Sequence, residues 1–132
     1  MISINFRKLF NLMYNNDMLP KQYRLKNKSA FNATYRVQNS FYKNGVIMFA
    51  GKKATINTPV KIGFVVSKKT HKRAVKRNRL KRLMRESIRL IIKEGYDFKN
   101  IQSLVFVGKS NALGKTFKQI DYSIKELLKE LK

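Results

Sequence analysis

Val60-Lys61-Ile62-Gly63-Phe64-Val65-Val66-Ser67-Lys68-Lys69, and the run that follows from Arg73 to Lys93, decide the fold. The first is a β-branched run introduced by Thr58-Pro59, which reads as a strand. Period two sets Ile62, Phe64 and Val66 on one face and Lys61, Gly63, Val65 and Ser67 on the other. In the second, Leu80, Leu83, Met84, Ser87, Ile88 and Ile91 recur at i, i+3, i+4, i+7, i+8 and i+11, an amphipathic helix that Gly95 stops. Upstream, the turn signal Asn44-Gly45 precedes a strand Val46 to Ala50, with Ile47 and Phe49 on one face and Val46, Met48 and Ala50 on the other. Before it, Asn27-Lys28-Ser29 introduces a short helix over Ala30 to Tyr35 in which Phe31 and Tyr35 stand one turn apart. Downstream lie a third strand, Ser103 to Val107, a loop from Gly108 to Gly114, and a last helix from Phe117 to Leu131 with Ile120, Ile124, Leu127, Leu128 and Leu131 inward. The expected order is α, β, β, α, β, α in one compact domain.

The 132 residues suit a single domain, and a hydrophobic fraction of 43% is enough to bury a core. Against this ordinary background, 30 Lys and Arg face 7 Asp and Glu, a formal charge of +23. Charge of that size opposes compaction and points to a polyanionic partner. No apolar run approaches the roughly 18 to 20 residues that span a bilayer, so nucleic acid is favoured over membrane. The first residues show no uninterrupted apolar segment with a cleavage site. With no Cys and a lone His71, the chain offers no disulfide framework, thiol nucleophile or Cys/His metal cluster, and a cytoplasmic setting fits. Residues 1–19 read as a poorly anchored tail, an upstream extension of a chain whose natural start would be Met18, and 20–132 as the domain. A short packed helix from Phe6 to Met13 is the competing reading of that tail.

From Met18 through Arg85 there is no acid, and Lys68 to Arg89 holds eleven cations against Glu86 alone. At 100° per residue, Asn78, Lys81, Arg82, Arg85 and Arg89 form a stripe opposite the apolar face. A merely solvated face would mix signs into i,i+4 pairs, whereas Lys81, Arg85 and Arg89 repel one another. An Arg-rich stripe suits phosphate, which the guanidinium can hold bidentately. Phe31, Tyr35 and Phe49 fit two roles, plain core or a platform on which unpaired bases stack, and pattern alone leaves both open. His71 reads as a loop histidine, and the acids are too scattered to form a general acid/base pair.

The combination of Ile62-Gly63-Phe64-Val65-Val66-Ser67-Lys68-Lys69 with Ala74-Val75-Lys76-Arg77-Asn78-Arg79-Leu80-Lys81-Arg82-Leu83-Met84-Arg85-Glu86 resembles the protein component of bacterial ribonuclease P. The likeness runs from about Leu19 to Lys132, with Arg77 to Arg82 similar to that family's signature. Two departures are visible: Thr70-His71-Lys72-Arg73 stands where many members have a glycine, and Gly108-Lys109 where an Arg is common. The resemblance implies an α+β domain with a mixed sheet of about four strands, like that of a small-subunit ribosomal protein, with a left-handed βαβ crossover. It also implies a monomeric protein that assists a catalytic RNA, which with Mg²⁺ removes the 5′ leader from precursor tRNA. Lys68, Lys69, Arg77, Asn78, Arg79, Lys81, Arg82, Arg85 and Arg89 become the RNA-binding set, and Phe31, Tyr35, Ile47, Phe49 and Lys69 a cleft for the leader. Because Ile47 and Phe49 share one strand face, the resemblance favours the stacking platform. A ribosomal or chaperone-like RNA-binding protein, with no part in cleavage, is the alternative. No catalytic group is expected in the polypeptide. RNA-free, nuclease-free protein should therefore leave precursor tRNA intact in Mg²⁺, and correct 5′ ends from protein alone on a sequencing gel would contradict this.

Overall fold

A computed structural model describes residues 19–132. A 3₁₀ turn at Lys21–Tyr23 leads to α1 (Lys28–Arg36), the hairpin β1 (Asn39–Lys43) and β2 (Val46–Ala50), β3 (Lys61–Val65), α2 (Ala74–Lys93), β4 (Ser103–Gly108), a 3₁₀ turn at Ser110–Ala112, and α3 (Phe117–Leu128). The sheet order is β1-β2-β4-β3, antiparallel except where β3 and β4 run parallel. That parallel pair requires a crossover, and α2 supplies it. The expected α+β domain with a four-stranded mixed sheet is therefore what forms. No helix among the described residues is long and apolar enough to cross a membrane.

The sheet has two differently used faces. Phe41, Met48, Phe106 and Phe64 align across all four strands on one face, and α2 and α3 cover it with Leu80, Met84, Ile88, Ile120, Ile124 and Leu128, each essentially inaccessible. Among the described residues, α1 is the one helix that lies across the strands on the opposite face. α2 ends as Gly95 implies: with φ +79° it accepts the left-handed turn, its N–H donates to Ile92, and Tyr96 N–H donates to Ile91, a Schellman closure. Thr116 and Gln119 form a reciprocal capping box at the start of α3. The buried hydroxyls are satisfied: Ser87 donates to Asp121 at 2.7 Å, tying α2 to α3, and Ser123 donates to the Gln119 carbonyl.

Several boundaries differ from the sequence reading. β1 is not in it, because Asn39-Ser40-Phe41-Tyr42-Lys43 is an edge strand with only Phe41 directed at the core, so its apolar alternation is too weak to read. Its register is set by the Asn44-Gly45 turn, where both residues have positive φ (+49° and +91°) as a two-residue hairpin of this twist demands. α3 stops at Leu128, three residues early, although Leu131 remains buried through a following turn. Residues 1–18, most of the expected tail, lie outside the described residues, as does the Phe6 to Met13 alternative. Leu19, placed in that tail by the sequence reading, is instead 2% exposed and part of the core.

α2 meets the sheet most closely at Gly108, where an added Cβ would sit 2.5 Å from Leu80 Cδ2 and 3.0 Å from Val66 Cγ2. Gly108→Ala is expected to cost about 1–3 kcal/mol by overpacking and Leu80→Ala about 2–5 kcal/mol by leaving a cavity. Combined, they should cost less than the sum, since each relieves the other's defect. Urea midpoints of the three variants check the coupling, and strict additivity would contradict the contact.

Candidate nucleic-acid interface

The cationic stripe is the side of α2 turned away from the core. Asn78 and Arg79 are exposed, while Arg77, Lys81, Arg82, Arg85 and Arg89 are half-buried, so aliphatic stems lie on the protein and charged heads reach outward. Burial and the neighbouring Arg85 and Arg77 hold the Lys81 ammonium below its ordinary pKa. Arg85 is likewise lowered, by burial first and then by Arg82 and Arg24. Its guanidinium lies 5.7 Å from the centre of the Phe64 ring, a cation–π contact that fixes its position. A cluster whose members disfavour one another's charge is one that a phosphate would relieve.

The nine cations and amides singled out from sequence are not equivalent. Arg77 donates to the carbonyls of His71 and Lys72, both at 2.8 Å, and so clamps the linker to the first turns of α2. Arg79 donates to the Lys115 carbonyl at 3.1 Å and ties α2 to the loop before α3. Arg89 is held by Glu86 through two bonds, 2.7 and 3.0 Å, which raise its pKa and occupy its fork. Arg77 and Arg79 thus help to shape the surface they belong to, and Arg89 is the member with its charge already answered. Lys68 and Lys69 are exposed in a turn closed by Thr70 N–H on the Ser67 carbonyl, at 3.0 Å. None of the residues Ser67 to Arg73 takes positive φ, so Thr70-His71-Lys72-Arg73 needs no glycine. His71 is a loop residue as expected, with its Nδ1 accepting from Arg73 N–H.

The aromatic residues lie on the other face of the sheet, under and beside α1. Thr34 points at the sheet, donating to the Ala30 carbonyl at 2.9 Å and lying 2.6 Å from the Ser103 hydroxyl. One flank of the helix carries Phe31 and Tyr35. Tyr35 meets Phe49 edge to face at 4.9 Å, and burial raises its pKa. Phe31 rests on Gly63, where an added Cβ would come within 2.4 Å of its ring. Phe31, Tyr35, Ile47 and Phe49 are all half-buried, and none belongs to the core cluster. Beyond Tyr35, Tyr42, Ile47, Val107 and Val65 align across the four strands, exposed or half-buried, and no described helix lies over them, which leaves a shallow groove among the described residues. Lys68 and Lys69 leave the sheet just past Val65, at the Ile47 end. Of the expected cleft residues, Phe31, Tyr35, Ile47 and Phe49 thus share this face of the sheet, and Lys69 stands in the exposed turn beyond its end. Tyr42, 58% exposed, and the two valines were missed, because that row exists only once the strand register is known.

An α+β domain with a strongly cationic helix on one side, its single acid Glu86 paired with Arg89, and half-buried aromatic residues on the other is a nucleic-acid-binding module, suited to backbone and unpaired bases at once. The chain belongs to the ribonuclease P protein family: the family model described as Ribonuclease P matches residues 19–132. It is 35% identical over 114 residues to the ribonuclease P protein component of Clostridium kluyveri, covering 82% of this chain and 93% of that protein. It is 37% identical over 109 residues to that of Clostridioides difficile, covering 80% and 88%. The solved structure of the Staphylococcus aureus RNase P protein matches with a TM-score of 0.68 at 26% identity, over 83% of this chain and 94% of that one.

Gly63 offers a way to separate groove from fold. The atoms an alanine there would meet are the far end of the Phe31 ring, which is half-exposed and can swing aside, and, at 3.3 Å, the terminal Cδ2 of Leu25. Gly63→Ala is expected to lower the urea midpoint little, while weakening binding to single-stranded leader RNA by on the order of 1–3 kcal/mol for a displaced stacking partner. Full leader affinity in the folded variant would show that Phe31 is no part of the platform.

Proposed function

We propose that this chain is the protein subunit of ribonuclease P. In this reading it binds the catalytic RNA through α2 and the Lys68-Lys69 turn, holds the 5′ leader of precursor tRNA in the groove beside α1, and so promotes endonucleolytic formation of the mature 5′ end. The observation that carries it is the position of the aromatics. The core is complete on the α2/α3 face without Phe31, Tyr35 and Phe49, and these three stand half-open on the other face with cations at the groove's end. A ribosomal or chaperone-like RNA-binding role would account for the charge but not for a stacking groove joined to it.

The chemistry falls to the RNA in this proposal. Family membership implies Mg²⁺, and four of the described carboxylates are already engaged: Glu86 by Arg89, Asp121 by Ser87 and Lys125, Asp97 by Lys99 and Glu126 by Lys129. No group of three or more His, Asp or Glu able to hold a metal occurs among the described residues. The protein's own contribution is then positional: stacking orders the leader, and the stripe reduces repulsion between two RNA backbones. A cytoplasmic site of action and a monomeric free protein belong to the same proposal.

Reconstitution with cognate catalytic RNA in Mg²⁺ tests it. Tyr35→Ala should weaken binding of leader-bearing precursor by on the order of 1–3 kcal/mol for one lost base stack while leaving mature tRNA binding close to wild type. Losses shared by both RNAs and tracking a fall in the urea midpoint would return Tyr35 to a packing role, and no stimulation of cleavage by wild-type protein would reject the function.

A further inference from the structure

The flank of α1 turned away from Tyr35 borders a second groove, and we propose that it is a separate track for a phosphodiester backbone. The proposal rests on the reading of the chain as an RNA-binding subunit. Thr34 marks the line where α1 touches the sheet. Phe31 and Tyr35 lie to one side of it, and Ala30, Ala33, Arg36 and Val37 to the other, where they wall a cavity of about 460 Å³ floored by Gly51, Lys61 and Ser103 and flanked by Lys52. Its floor is held rigid by ladder bonds, Gly51 N–H to Ser103 and Lys61 N–H to Gln102. A second cavity of about 550 Å³ continues from it, sharing Leu25, Ala30 and Lys61 and adding Lys21, Arg24 and Lys26. A third, about 270 Å³, shares Arg24, Leu25 and Lys26, is also lined by Phe31 and Gly63, where the path touches the edge of the aromatic groove, and ends at Phe64 and Arg85 on the stripe side. The three form one path around the start of α1, from the cationic helix to the far flank of α1.

Every charged residue along this path is a cation, as the absence of acids from Met18 through Arg85 dictates. Arg36, Lys52 and Lys61 are exposed, and among the described residues none of the three has a side-chain hydrogen bond or ion pair. Unlike Arg77, Arg79 and Arg89 they have no structural duty, so their convergence on one groove is unanswered charge. No aromatic ring lines the first two cavities, which suits a strand's phosphates and sugars more than its bases. The same chemistry is offered by the catalytic RNA and by precursor tRNA.

Acetylation of lysine amines, read by mass spectrometry on the wild-type protein, tests the track without needing catalysis. Lys52 and Lys61 should react more slowly in the complex than in the free protein. Slowing on addition of catalytic RNA alone assigns the track to that RNA, and slowing only when leader-bearing precursor joins the complex assigns it to the substrate. Combining Arg36→Ala, Lys52→Ala and Lys61→Ala should flatten the log–log salt dependence of the corresponding affinity by about 2 to 3, at roughly 0.7–0.9 per phosphate contact. Equal acetylation of free and bound protein, or an unchanged slope in the folded triple variant, overturns the track. Precursor cleavage by the wild-type complex is followed in parallel: cleavage without protection rejects the track alone, and protection without cleavage rejects the subunit function alone.

Discussion

The structure depends on α2 being pressed against the parallel pair β3 and β4. Gly108 lets Leu80 reach the backbone of β4, Val66 closes the contact from the end of β3, and Met84, Ile88 and Ile91 continue it along the helix. Its first turn has no acid and carries Lys76 and Arg77, which oppose the helix dipole, and its outer face repeats like charges one turn apart. Apolar burial on the inner face must outweigh both, and the Schellman closure at Gly95 and the clamp from Arg77 to the linker restrain the two ends.

The few acids are distributed to suit that arrangement. Glu86, Asp97, Asp121 and Glu126 pair with Arg89, Lys99, Lys125 and Lys129, all on the second half of α2, the loop that follows it, or α3. As mostly exposed pairs of neighbours in sequence they add little stability. Their effect is to confine neutralised charge to one region and leave the first half of α2, the Lys68-Lys69 turn and the surroundings of α1 as an uncompensated field. Such a field attracts RNA from a distance and is screened by salt.

On the other face of the sheet, the single helix α1 covers less than the strands present. That shortage makes the groove: where α2 and α3 bury the centre of one face, α1 buries a band across the middle of the other and leaves an apolar row on one flank and a cationic channel on the other. Tyr35 and Phe49 hold each other edge to face, which keeps two rings upright at the groove without committing either to the core.

The helix Ala74–Lys93, its inward residues and its stop at Gly95 were legible in the sequence, because a period of 3.6 and a positive-φ glycine are local properties. The same holds for the two faces of β2 and for the polyanionic partner that a charge of +23 requires. β1 was not legible, since an edge strand with one inward side chain leaves almost no pattern. Nor could pattern alone place Phe31, Tyr35 and Phe49 outside the core, or reveal that Tyr42, Val107 and Val65 line up on the same face. Those outcomes turn on register and on how much of a face one short helix can cover, and both are set by which strands pair. That pairing joins residues far apart in the chain, so only the tertiary structure decides it.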